Sequence, residues 1–297
     1  MAIFRVPGDK KRGRIFSKVF APIQETAMRY DTIRVKPLTA NIGAEISGVD
    51  LSKGLDPQQF EEVSAALAAH LVIFFRDQNL DFDSHKKLGR QFGPLAIHSG
   101  VAGLAEHPEI VAIHSDANSK YVAGEDWHSD LTCDAEPPMG SILYLHTIPE
   151  TGGDTVFASM YAAYEALSPK MKTYLDGLSA VHDGEHVYRS IVNDPNKKFP
   201  TNAHPIVRTH PVTGRKCLFV NQSYVTHIVG VPKDESNAIL GYLYNHCTNP
   251  NFQVRFRWTP HAVAFWDNRC TQHLAVWDYF PQTRSGYRVT VAGQKPV

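Results

Sequence analysis

Apolar positions along this chain fall in short alternating runs, interrupted by a few stretches of helical period. Thr32-Ile33-Arg34-Val35 alternates as a strand does, and Ile42 to Val49 predicts a second strand after a turn. Asp56-Pro57 predicts a helix start, with Asp at the N-cap and Pro at the first helical position. Phe60, Val63 and Leu67 then recur at helical spacing. Leu71 to Phe75 is an unbroken apolar run and predicts a central strand. Asp83 to Gln91 predicts a second helix. Glu109 to His114 predicts a strand, followed by a polar loop, Ser115 to Glu125, of the kind that forms mobile lids. Further strands are expected at Ser141 to His146 and Thr155 to Phe157, and helices at Tyr161 to Leu167 and Lys170 to Leu178. Glu185 to Ala203 is polar with few periodic apolar positions and is expected to be a surface excursion. Pro205 to Thr209 and Lys216 to Val220 flank Thr213-Gly214 as a hairpin would. A helix over Glu235 to Cys247 and strands at Phe252 to Trp258, Ala262 to Trp266 and Tyr287 to Ala292 complete the pattern.

Many short strands without regular strand–helix alternation argue against a Rossmann fold. They predict a mainly β protein with flanking helices, a sandwich or jelly roll. Residues 1 to about 30 carry Lys10, Lys11, Arg12, Arg14 and Lys18 without a signal-peptide apolar block, and read as a basic N-terminal extension, with organelle targeting as the alternative. Residues 31–297 are expected to form one domain. Zero formal charge removes any global field toward nucleic acid or an anionic membrane. No apolar run reaches membrane-span length. Four widely spaced cysteines argue against a disulfide or zinc-ribbon framework and for a reduced, cytoplasmic protein.

The chemistry centres on His128-Ser129-Asp130. In extended backbone, residues two apart share a face, so an imidazole and a carboxylate can meet one metal ion. His273 would complete two histidines and a carboxylate, the set that suits non-haem Fe(II) with open positions. The bland alternative is a polar loop in which Asp130 caps a turn. Arg284 follows His273 closely enough to grip a carboxylate in the same cavity, helped by a hydroxyl such as Thr155; otherwise it is a surface arginine. Arg288 shares strand parity with Arg284, and a buried arginine needs an anionic or polar partner, either a structural carboxylate or a substrate.

Trp127-His128-Ser129-Asp130, Gly152-Gly153-Asp154-Thr155, Trp266-Asp267-Asn268 through Gln272-His273, Asp278-Tyr279, Arg284 and Arg288 stand in a fixed order. Together they resemble the taurine/2,4-dichlorophenoxyacetate dioxygenase family, and the likeness spans about residues 30 to 295. The resemblance implies a double-stranded β-helix core, Fe(II) on His128, Asp130 and His273, and 2-oxoglutarate held by Thr155 and Arg284. It also implies dioxygen and a small organic anion as substrates. Arg288 matches the arginine at the substrate anion, His98 a sulfo-group histidine, and Tyr224 an aromatic pocket wall. Val101 stands where the taurine enzyme has a tyrosine, and Val122 to Glu125 lacks that enzyme's asparagine, so taurine's ammonium would lose polar partners. An alkylsulfonate or alkylsulfate is the expected substrate, ahead of an aryloxyalkanoate or other carboxylate. A homo-oligomer, dimer or tetramer, with no nucleic-acid or membrane partner is also expected. Competing readings are a catalytically silent anion-binding jelly roll and a zinc hydrolase on the same three ligands.

Overall fold

The structure is a computed structural model that describes residues 29–297, so the basic extension expected before them lies outside the described residues. Strands β1 (Arg34–Pro37) and β2 (Ala44–Ser47) pair antiparallel, and β2 runs parallel to β3 (Val72–Phe75). The central strands that follow are β4 (Ile110–Ser115), β5 (Gly140–Thr147) and β6 (Thr155–Ser159). An outer group comprises β7 (Ser179–Asp183), β8 (Thr201–Pro205), the hairpin β9 (Val207–Thr209) and β10 (Lys216–Leu218), and β11 (Val225–Ile228). The last four are β12 (Gln253–Phe256), β13 (Ala262–Asp267), β14 (Thr271–Ala275) and β15 (Arg284–Val291).

A seven-stranded sheet in the order β1-β2-β3-β13-β5-β15-β4 faces a three-stranded sheet, β12-β6-β14. Side-chain alternation decides which residues enter the space between them. Phe74, Leu143, Leu145, Ala264 and Trp266 point inward, and Phe74 stacks on Phe256 of β12 at 3.8 Å. Their neighbours Ile73, Phe75, Ile142, Val263 and Phe265 face outward, under α1 (Pro57–His70) and α2 (Phe82–Phe92). Each such fully buried chain contributes about 1.5–3 kcal/mol. Both layers of the large sheet are therefore apolar, which explains the unbroken run Leu71 to Phe75.

The expected cap of α1 forms as a capping box: Asp56 accepts from the Gln59 amide, and Gln59 reaches back. In α2 the start moves to Asp81, because Ser84 can close a box with it. Helix α3 (Met160–Glu165) and α4 (Pro169–Leu175) are shorter than expected, because the chain turns after Leu175 to enter β7. β7, β11 and β14 carry no strong local signal and exist through their pairing partners. The expected surface excursion over Glu185 to Ala203 is corrected: it holds α5 (Gly184–Tyr188) and the start of β8, and buries Tyr188 and Phe199. Helix α6 (Lys233–Cys247) packs its buried Leu240 and Leu243 on the main core. Among the described residues, no helix is long and apolar enough to cross a membrane.

Candidate active site

His128 and His273 meet backbone to backbone: each donates its amide to the other's carbonyl, at 3.1 and 2.7 Å. Their rings lie 4.1 Å apart between centroids. His128 donates Nδ1–H to the Asp126 carbonyl at 2.8 Å, which leaves its Nε2 lone pair free. Asp130 sits at the end of the same extended segment, before Leu131 turns to φ 51°. Its Oδ1 lies 3.6 Å from Nε2 of His128 and 3.9 Å from Nε2 of His273. The three ligand atoms fall within 4.8 Å of one another, the spacing of groups that can share one ion.

The protonation states suit ligation of a cation there. Burial, then the neighbouring His128, holds His273 well below the usual imidazole range, so it is neutral with a lone pair to offer. Burial opposes ionisation of Asp130, but the Arg288 guanidinium beside it outweighs burial and holds the carboxyl well below the usual carboxylate range. Asp130 is also clamped. Asn268 accepts from its amide at 2.7 Å and donates to its carbonyl at 2.8 Å, and Ser141 donates to Oδ2 at 2.7 Å. Such outer contacts orient a ligand before the ion arrives.

Arg284, 3% exposed, emerges from β15 into the inner space. Its Nε donates to the Gly153 carbonyl at 3.0 Å and Nη2 to Thr155 Oγ1 at 3.2 Å. Trp258 donates to the same hydroxyl at 3.0 Å, and its ring lies 5.6 Å from the guanidinium carbon. With both interactions accepted at Oγ1, the Thr155 hydroxyl proton remains free to donate. No carboxylate among the described residues lies within ion-pair distance of Arg284. A buried cation in this state calls for an anionic ligand.

Arg288, on the same strand face, pairs Nη1 with Asp130 Oδ1 at 2.8 Å. Its structural partner is thus the proposed metal ligand itself, while its buried Nε has no partner. His98 lies near enough to feel the Arg288 charge; burial first, then that charge, holds it down to about 3. Its Nδ1 accepts from the Gly100 and Val101 amides, both at 3.0 Å, so Nε2 carries the proton and is a donor. Tyr224 is buried with Leu131, Cys133, Tyr188 and Phe199, and Val101 packs against this cluster. The Tyr188 and Tyr224 hydroxyls are hydrogen-bonded, and the Tyr188 ring lies 5.7 Å from His98. The loop before His128 covers its ring: a Cβ on Gly124 would meet His128 Cε1 at 2.8 Å.

His128, Asp130 and His273 are thus brought together with Arg288, while Arg284 and Thr155 bond to each other and Tyr224 and Val101 lie in a separate cluster that includes Tyr188, the neighbour of His98. Sequence reasoning missed Trp258, Ser141, Tyr188 and the clamp formed by Asn268 as contributors. Trp258 was legible, since Val254, Phe256 and Trp258 share inward parity. The Asn268 clamp spans 138 residues and has no local signal. A second group, His210, Asp267 and Cys270, also lies close together. His210 accepts at Nδ1 from the Val212 and Thr213 amides and donates Nε2–H to Asp267, so it has no lone pair for a metal. With Arg269, it braces the turn that presents Asn268.

Comparison with known proteins places this geometry. Residues 34–290 match the family described as taurine catabolism dioxygenase TauD, TfdA family. The chain belongs to that family. It is 37% identical over 276 residues to an α-ketoglutarate-dependent sulfate ester dioxygenase of Pseudomonas putida, covering 89% of this chain and 90% of the relative. A crystal structure of a taurine dioxygenase from Burkholderia xenovorans superposes with TM-score 0.79 at 40% identity, over 90% of this chain and 93% of that one. AAD-2, solved with Mn(II) and N-oxalylglycine, superposes with TM-score 0.76 at 30% identity, over 90% and 99% of the two chains. This TauD/TfdA chain has the family's jelly-roll fold and is an Fe(II)- and 2-oxoglutarate-dependent dioxygenase.

Proposed function

We propose that this enzyme hydroxylates a small organosulfur anion, an alkyl sulfate or alkylsulfonate, at the carbon next to the sulfo group. The observation that carries the reading is the pair of inward guanidinium groups on β15. Arg284 has no carboxylate partner, and Arg288 beside the three ligands has an unpartnered Nε. Arg284 thus calls for an anion and Arg288, already paired with Asp130, for an acceptor at its Nε; 2-oxoglutarate and an anionic substrate would supply them.

In this reading His128, Asp130 and His273 hold Fe(II). The bound metal, with dioxygen, supplies the oxidising power that hydroxylates the substrate carbon while 2-oxoglutarate becomes succinate and carbon dioxide. Arg284 and the free Thr155 proton hold the distal carboxylate of 2-oxoglutarate. Arg288 and the His98 Nε2–H grip the substrate anion. Neutral His98 donates without adding charge, which suits a group with three oxygens. The hydroxylated product then collapses to an aldehyde, releasing sulfate from a sulfate ester or sulfite from a sulfonate. Val101, Tyr188, Phe199 and Tyr224 form an aromatic and aliphatic wall. That wall favours an apolar remainder over the ammonium of taurine.

Succinate release under air with Fe(II) and ascorbate, across sulfates, sulfonates and carboxylates, tests the reading. Stimulation by organosulfur anions, lost in Arg288→Ala, is expected; turnover of carboxylates alone would overturn it in favour of an aryloxyalkanoate. All four cysteines are free and buried, which supports a reducing, cytoplasmic setting. The reading includes residues 31–297 as one domain and a homo-oligomer, to be checked by sizing.

A further inference from the structure

Arg284 is aimed by a backbone turn, and that turn is held from outside by a residue with no part in the binding pocket. Gly152 and Gly153 both have positive φ, 81° and 71°. On its inner side the turn offers the Gly153 carbonyl to Arg284 Nε at 3.0 Å. A Cβ on Gly153 would come within 3.3 Å of Arg284 Cδ, so the backbone lies against the arginine stem. On the outer side Asp278 Oδ1 accepts from the Gly153 amide at 2.8 Å. A Cβ on Gly152 would fall 2.3 Å from that same oxygen, so the carboxylate and the turn are in direct contact. Arg255 ties the two sides of the bracket: it donates Nε to Asp154 at 2.6 Å and places Nη2 3.5 Å from Asp278. The main-chain amide of Val276 reaches the Asp154 carbonyl at 3.0 Å, closing the bracket beside Asp278.

We infer that Asp278 is a positioning residue for 2-oxoglutarate: by fixing the Gly152-Gly153 turn it sets the direction of the Arg284 guanidinium. The physical reason is that Arg284 has no carboxylate of its own to orient it. Its two partners, the Gly153 carbonyl and the Thr155 hydroxyl, lie on or just after the turn. Two left-handed glycines have broad conformational freedom, so the turn needs an external acceptor to select one geometry. The half-exposed Asp278 supplies it without entering the pocket.

This inference rests on the reading of Arg284 as the 2-oxoglutarate arginine, and the test separates the two. The dissociation constant of 2-oxoglutarate is measured by calorimetry on the Mn(II)-loaded protein, which does not turn over. KM for 2-oxoglutarate and for the sulfo substrate is measured on the Fe(II) enzyme. Asp278→Ala should weaken 2-oxoglutarate binding about five- to tenfold, the loss expected of one hydrogen bond. KM for the sulfo substrate should be unchanged, and the melting temperature without 2-oxoglutarate should fall by no more than about 4 °C, the loss of one hydrogen bond. Asp278→Asn keeps an acceptor oxygen and should restore binding to within about twofold. Gly152→Ala displaces Asp278 from the other side and should reproduce the loss of 2-oxoglutarate binding, with a further loss of stability from a side chain at φ 81°. If Arg284→Met abolishes 2-oxoglutarate binding but Asp278→Ala binds as wild type, the positioning role is overturned while the reading of Arg284 stands. If Asp278→Ala instead raises both KM values together and lowers the melting temperature by more than about 10 °C, Asp278 is only structural and the inference is again overturned. If Arg284→Met binds 2-oxoglutarate normally, the underlying reading fails as well.

Discussion

Replacing Arg284 with Met separates a binding role from a structural one, because the two predict opposite balances. In the ligand-free protein the substitution removes hydrogen bonds to Gly153 and Thr155 at 3.0 and 3.2 Å. Each is worth about 1 kcal/mol. It also removes a buried cation whose charged form is disfavoured, since burial pushes the Arg284 guanidinium below its usual range. The two effects oppose, so ligand-free stability should change by no more than about 2 kcal/mol, or roughly 5 °C in melting temperature. Binding should suffer far more. Removing one partner of a buried ion pair costs about 2–5 kcal/mol, which is roughly 30-fold to several-thousand-fold in affinity. Thermal melts of the Mn(II)-loaded protein, with and without 2-oxoglutarate, read both quantities. At about 100 times the dissociation constant the ligand stabilises wild type by ~2.7 kcal/mol, and at the same concentration that shift should fall below about 1 kcal/mol in the variant. A variant that melts more than about 10 °C lower without ligand, yet still gains the full shift with it, would refute the reasoning.

Asn268→Ala leaves the Asp130 amide buried without an acceptor and frees the ligand strand; metal affinity should fall about 10- to 100-fold in a Mn(II) titration, and an unchanged affinity would count against the clamp. Gly100→Ala puts a Cβ 2.4 Å from the Tyr188 ring, so that wall must shift; KM for the organosulfur substrate should rise about tenfold with KM for 2-oxoglutarate unchanged, and a parallel change in both would argue against a substrate wall. Burial lowers His85 to about 4 and His182 to about 3. Their folded pKa values lie below the unfolded one, so the unfolded chain takes up protons first as pH falls. Stability is therefore unaffected above about pH 6.5 and declines below it, with His85 alone removing about 3 kcal/mol by pH 4. Urea midpoints should show this decline, shallower in His85→Gln, while a flat curve from pH 6.5 to 4.5 would refute it.

Local chemistry explains how much of this molecule was readable in its sequence. Asp56-Pro57 caps a helix whatever lies around it, and Leu71 to Phe75 is a strand buried on both faces because nothing else hides five apolar residues in a row. The pairing of His128 with Asp130 and of Arg284 with Arg288 was legible because extended backbone keeps residues two and four apart on one face, whereas His273 entered through the ordered motif around it. Tertiary structure decided the rest. Thr271 to Ala275 becomes a strand only because β6 accepts it in register. Tyr188 is buried only because α5 folds the polar stretch after it back toward His98 and Tyr224. The partners of a buried charge come from wherever the sheets bring the chain together. Thus the contact of Arg288 with Asp130, 158 residues away, and the grip of Asn268 on that same aspartate exist only in the folded protein.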